Sequence, residues 1–240
     1  METKWTMVLR ACAGSTSALA TLCQDYWKVL FGFFRRKGLS REDAEDLAQN
    51  TLSELTKGGR LVAVDKSRGR FRSFLFRCAT HEMAHFIRDR SAAKRGGRVI
   101  TVLESEGDLI PCPEPSTNGD IFDREWSLAL AARALQRVVD SYARREKLGQ
   151  CRELIPFLQR APEAGQYDDL CAKLQITHGN ARVLVLRIRK EFREAMLREV
   201  LDTVGDPRQA EAELRHLLGL WIHSSSQTDR DFVTQLPDPL

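Results

Sequence analysis

His81-Glu82-Met83-Ala84-His85 spells H-E-x-x-H. On a helix that spacing sets two imidazoles one turn apart, where they can share a zinc ion while Glu82 takes a proton from metal-bound water. A catalytic zinc also needs a third protein ligand and a supporting shell. The carboxylates that follow, Glu104 and Glu106, lie beyond a cationic segment in a stretch that reads as a loop. The same letters arise where two polar residues sit on a helix facing nucleic acid. That second reading is preferred, so no catalytic residue, no metal and no cofactor are expected. A zinc-dependent hydrolase using His81, Glu82 and His85 is the alternative.

The preference comes from what surrounds the two histidines. Between Gly69 and Gly97, Phe71, Phe74, Leu75, Cys78, Phe86 and Ile87 supply a partly apolar helix face. Arg70, Arg72, Arg77, Arg88, Arg90, Lys94 and Arg95 surround it, with Arg98 just beyond. From Arg60 to Arg98 there are eleven Lys/Arg against three Asp/Glu, a local net of +8, twice the +4 of the whole chain. Concentrated charge of this kind suits phosphate. Exposed aromatics among the cations suit unstacked bases, at roughly 1 to 3 kcal/mol per stacked base. A buried face bordered by ordinary solvated charge gives the same pattern, and it stays open at this point.

The elements that must position this stretch are helical. Leu19, Leu22, Cys23, Tyr26, Val29, Leu30 and Phe33 recur at helical spacing, and Arg35, Arg36 and Lys37 crowd the end before Gly38. Ser40 then caps a second helix, with Ala44, Leu47, Ala48, Thr51, Leu52 and Leu55 as its inward stripe. The other face carries Glu42, Glu45, Asp46, Gln49, Asn50 and Glu54. An acidic helix beside a basic one offers a protein partner a surface that DNA avoids.

From Val99 to Phe122 the periodicity stops and Pro111, Pro113 and Pro115 accumulate with acidic residues, which reads as a flexible acidic linker. Helical spacing resumes with Trp126, Leu128, Ala131, Leu135, Val138, Val139 and Tyr142. Further on, Tyr167 to Leu174 forms a short helix, Gln175-Ile176-Thr177 a tight turn capped by Thr177, and His178 onward a long helix. Ala181, Val185, Ile188 and Phe192 face inward, leaving Asn180, Arg182, Arg187, Arg189, Lys190 and Arg193 wholly or partly outward. This is a helix-turn-helix with a basic candidate recognition helix. Asp206-Pro207 opens a last amphipathic helix, and the polar residues from Ser224 to Leu240 read as disordered.

Composition bounds the rest. With 42% hydrophobic and 29% charged residues the 240-residue chain is of globular type. Six scattered cysteines form no disulfide framework, and no apolar run reaches a membrane span, so a cytoplasmic protein is expected.

These features together resemble an RNA polymerase sigma factor of the extracytoplasmic-function (ECF) group over roughly Leu19 to Leu218. Ser40 to Leu52 (SREDAEDLAQNTL) is similar to the family's polymerase-docking helix, with Asp43, Asp46, Leu47 and Gln49 matching its signature. GRFRSFLF and AAKRGG resemble the promoter-melting and −10 segment of a long-tailed subgroup. Tyr167 to Arg193 resembles the −35-reading helix-turn-helix. His81 and His85 replace an Asn and an Asp common in the family, Gln175 replaces the turn glycine, and Val183-Leu184 replaces a frequent Ser-Arg pair.

The resemblance implies an all-α fold of two small helical domains. A region 2-like domain would span 15–98, the acidic linker 99–122, a region 4-like helix-turn-helix domain 123–204, and a C-terminal helix with a tail 205–240. It implies a non-enzymatic protein that directs polymerase to promoters and helps open the strands, whose partners are core RNA polymerase and promoter DNA; an anti-sigma protein is a further partner this family can carry. Asp43, Glu45, Asp46, Gln49 and Asn50 would contact polymerase. Arg70, Phe71, Arg72, Phe74, Arg77, His81, His85, Arg88, Arg90, Lys94 and Arg95 would serve the −10 element and melting. His178, Asn180, Arg182, Arg187, Arg189 and Lys190 would serve the −35 element. A stand-alone helix-turn-helix regulator is a second alternative.

Overall fold

The computed structural model describes residues 7, 10–11, 13–57, 71–94, 117–158, 165–204 and 206–222. Among them the regular elements are helices: α1 (Thr16–Arg36), α2 (Arg41–Lys57), α3 (Phe71–Lys94), α4 (Thr117–Arg144), α5 (Leu148–Leu154), α6 (Gln166–Leu174), α7 (His178–Leu201) and α8 (Ala210–Ile222). Short 3-10 turns at Ile155–Phe157 and Pro207–Gln209 precede α6 and α8. None of these helices is long and apolar enough to cross a membrane. Cys23, Cys78, Cys151 and Cys171 are free thiols.

The chain forms two compact units, residues 1–126 with 203–206, and residues 127–202 with 207–240. In the first, α1 packs on α2 and α2 on α3. The α1 helix starts where the Ser15 hydroxyl accepts the Ala18 N–H and stops at Gly38, whose φ of +84° is the left-handed conformation glycine adopts without strain. Its buried stripe of Leu22, Tyr26, Val29, Leu30, Phe33 and Phe34 follows the helical period. Gly32 admits the Glu125 carboxylate, which pairs with Arg36; a Cβ at that position would collide with it.

The core of this unit is aromatic. Tyr26 and Trp126 stack with ring centroids 5.1 Å apart, Phe71 lies 5.1 Å from Tyr26, and Phe122 meets Phe33 at 5.5 Å and Phe76 at 5.2 Å. Two of these rings come from the start of α4, in and just after the stretch expected to be linker. The helix begins at Thr117 and Phe122 is fully buried, so the non-helical linker cannot extend to 122. Three residues expected in the second domain, from Asp123 to Glu125, and Trp126 after them, group with the first unit because Phe122 and Trp126 must be covered to leave water.

In the second unit α5 and α6 pack on α7, and α7 on α8. The C-terminal helix therefore groups with this unit. Its polar centre is Glu199, 1% exposed, whose two carboxylate oxygens accept from Arg133 Nε at 2.7 Å and Arg137 Nε at 2.6 Å. Burial pushes the Glu199 carboxyl up, but the two guanidinium groups outweigh it and hold the group below the usual carboxylate range.

Candidate polymerase and nucleic-acid interfaces

The acidic helix α2 is built as its sequence requires. The Ser40 hydroxyl accepts the Asp43 N–H at 3.0 Å, Ala44, Leu47, Ala48, Thr51, Leu52 and Leu55 are buried, and Glu42, Asp46, Gln49 and Asn50 stand in solvent. Two of the five candidate contact residues are already engaged. Glu45 accepts from Arg41 one turn earlier, at 2.8 Å. Asp43 accepts from Arg90 Nη1 at 2.9 Å. The Ser40 hydroxyl and Arg90 both hold the Asp43 carboxyl below its ordinary range.

Helix α3 divides into two halves. Its first nine residues carry the burial, with Phe71, Arg72, Leu75 and Ala79 inside; from Thr80 to Arg90 no residue is buried. Phe71 and Arg72 must therefore be withdrawn from the surface expected to meet DNA. Phe71 is 1% exposed and packs against both Tyr26 and Trp126, which leaves no face for a base. Arg72 is buried and ion-paired with Asp123, because a guanidinium taken from water needs a carboxylate beside it. Phe74 is half-buried, 6.2 Å from Phe71. Ile87, expected on the apolar face, is 53% exposed.

The outer part of α3 keeps the cationic character read from the sequence. Arg77, His85, Arg88 and Arg90 are exposed, with the Arg90 guanidinium 5.5 Å from the Phe86 ring centroid. Arg70 and Arg95 lie outside the described residues, as does the Lys94 side chain. His81, half-buried, and His85 approach with their Nε2 atoms 3.1 Å apart, a hydrogen bond in which one ring donates to the other. Glu82 lies 3.6 Å from His81 Nδ1. Among the described residues no group of three His, Cys, Asp or Glu side chains could hold a metal ion; Glu104 and Glu106 fall outside those residues.

In the second unit α6 and α7 pack together across the short turn Gln175–Thr177. Gln175 takes the left-handed conformation, φ 53°, that a turn glycine would adopt more cheaply, and the Thr177 hydroxyl accepts the Asn180 N–H. Ala181, Val185, Ile188 and Phe192 are buried, and Asn180, Arg182, Arg187 and Lys190 are exposed. His178 pairs with Asp168 at 2.9 Å and the Arg182 guanidinium lies 5.9 Å from the Tyr167 ring, so α6 restrains both. Arg189 is half-buried, and its Nε donates to the Phe157 carbonyl of the 3-10 turn at 2.7 Å. Two exposed apolar residues of this helix, Val183 and Leu186, were absent from the sequence-derived set. The Val183-Leu184 departure from the family pattern was the signal pointing there.

Residues 22–93 match the family model described as Sigma-70 region 2. The match takes in most of α1, all of α2 and α3 to its penultimate residue. No curated protein and no solved structure matches the chain.

Proposed function

We infer that this chain, which carries a sigma-70 region 2 domain and so falls in the non-enzymatic sigma factor family, is an ECF-type sigma factor with a promoter-reading helix-turn-helix in its second half. Region 2 brings core RNA polymerase binding and a role in transcription initiation with it. The observation that carries the finer reading is the pairing, within residues 22–93, of a Ser40-capped acidic helix with a cationic one. On this reading Asp46, Gln49 and Asn50 meet the polymerase while Asp43 and Glu45 shape that face. Arg77 and Arg88 hold phosphates at the −10 element, and Phe74, His81 and His85 border the opened strand. Arg182, Arg187 and Lys190 hold the −35 duplex.

A hydrolase at His81, Glu82 and His85 loses its support, because those residues lie inside the region 2 match and the family performs no chemistry of its own. A stand-alone regulator would have no use for a polymerase-binding domain. The experiment is direct: combine the purified chain with core RNA polymerase and transcribe a library of genomic fragments. Defined transcripts that need the added chain are expected; polymerase binding without promoter-specific initiation would refute the assignment.

A further inference from the structure

Val183 and Leu186 are left in solvent on α7, 53% and 66% exposed. The helix buries Ala181, Val185, Ile188 and Phe192, and with 3.6 residues per turn positions 183, 186, 187 and 190 fall on the side opposite that stripe. Arg187 and Lys190 are exposed there too. An apolar pair set among cations calls for a polyanion that carries isolated apolar groups. Duplex DNA fits: every thymine places a C5 methyl in the major groove between two rows of phosphates. Val and Leu have no side-chain donor or acceptor, so they cannot read the hydrogen-bonding edge of a purine.

Position along the helix agrees. Recognition helices touch bases with their N-terminal residues, and Val183 and Leu186 stand within the first three turns after His178. The three-residue step between them rises about 4.5 Å, against about 3.4 Å between successive bases. Their contacts would thus fall on neighbouring base pairs.

We propose that α7 recognises the upstream promoter element through thymine methyl groups, with Leu186 and Val183 as the specificity-determining side chains and Arg187 and Lys190 on the flanking phosphates. This rests on the second half being a promoter-binding helix-turn-helix. It differs from polar readout because removing a methyl group, with every hydrogen bond kept, should weaken binding.

Deoxyuridine makes that change. The full-length chain with core RNA polymerase selects duplexes from a pool randomised across the upstream element, and thymines of the selected duplex are replaced one at a time by deoxyuridine. At one or two positions the wild-type complex should lose about fourfold in affinity, the value of one buried methyl. Leu186→Ala or Val183→Ala, exposed changes that spare the core, should abolish that sensitivity. A selected element without thymine, or deoxyuridine tolerated everywhere, overturns the proposal. If Arg187→Ala and Lys190→Ala still weaken binding in that case, only the methyl readout falls; if they too are neutral, the helix-turn-helix reading falls with it. Loss of polymerase binding in Leu186→Ala with DNA selectivity unchanged would give the pair to a protein partner and overturn the proposal as well.

Discussion

Replacing Phe71 by Ala tests whether this aromatic serves the opened strand or the fold. The ring is 1% exposed, with centroids of Tyr26, Trp126 and Phe74 at 5.1, 6.1 and 6.2 Å. Burying a phenylalanine side chain is worth about 2 kcal/mol, and ring pairs in such geometry add about 1 kcal/mol each. Truncation should therefore cost about 5 kcal/mol, at the upper end of the usual range for Phe→Ala in a core that cannot collapse. Against the roughly 5 to 15 kcal/mol of a whole domain, that is a large fraction. Phe71→Leu, which keeps most of the volume, should cost about 1.5 kcal/mol. Urea melts of the full chain should run beside permanganate detection of strand opening, on a duplex promoter and on one with a pre-opened bubble. Phe71→Ala should lose stability, polymerase binding and opening together, with no rescue by the bubble, whereas Phe71→Leu should keep all three. A Phe71→Ala chain that melts like wild type, opens duplex slowly and is rescued by the bubble would refute the packing argument.

Asp46→Lys, at an exposed position of α2, should weaken association with core polymerase without lowering the melting temperature, as a pull-down titration with a parallel melt can check. Arg187→Ala and Lys190→Ala should each flatten the log-log salt dependence of promoter binding by about one unit, the loss of one phosphate contact. Arg189→Ala should leave that slope unchanged and cost stability instead, because its partner is the Phe157 carbonyl. Glu199→Gln should destabilise the second unit by about 3 kcal/mol at neutral pH, since two guanidinium groups lose their shared carboxylate. The folded pKa of Glu199 is lowered, so its contribution is present above the unfolded carboxylate range and lost as pH falls through the folded value. Urea midpoints of wild type and variant should therefore converge in acid.

Local signals were legible in the sequence wherever one residue type determines one geometry. Gly38 stops α1, Ser40 and Thr177 cap their helices, and the stripes of α2 and α7 fall on the positions that periodicity gives. What could not be read is which part of an amphipathic helix a distant segment covers. In α3 the period is the same throughout, but from Thr80 to Arg90 no residue is buried, so Phe71 and Arg72 turn inward while Ile87 stays in water. Phe122 stands one turn before Trp126 and stacks on it, but the other rings it meets, Phe33 and Phe76, come from other helices. The prolines and acidic residues before it hid the start of α4 for the same reason: local composition speaks against a helix that long-range packing stabilises.

The pairing of Asp43 with Arg90 redraws both surfaces of the first unit. By sequence the aspartate belonged to the polymerase face and the arginine to DNA, yet the two meet at 2.9 Å with side chains 27% and 58% exposed. An ion pair so wet contributes little to stability, so it does not hold α2 and α3 together; the buried stripe of α2 does. Its consequence is electrostatic. Each charge partly cancels the other, so a phosphate approaching Arg90 meets a neutralised site, and a cation approaching Asp43 does too. Among the described residues, the charges that stand in solvent unopposed by this pair include Glu42 and Asp46 of α2 and Arg77, Arg88 and Asp89 of α3. Asp46 is therefore a sharper probe of polymerase docking than Asp43: removing Asp43 would expose a new cation at Arg90 and alter both faces at once.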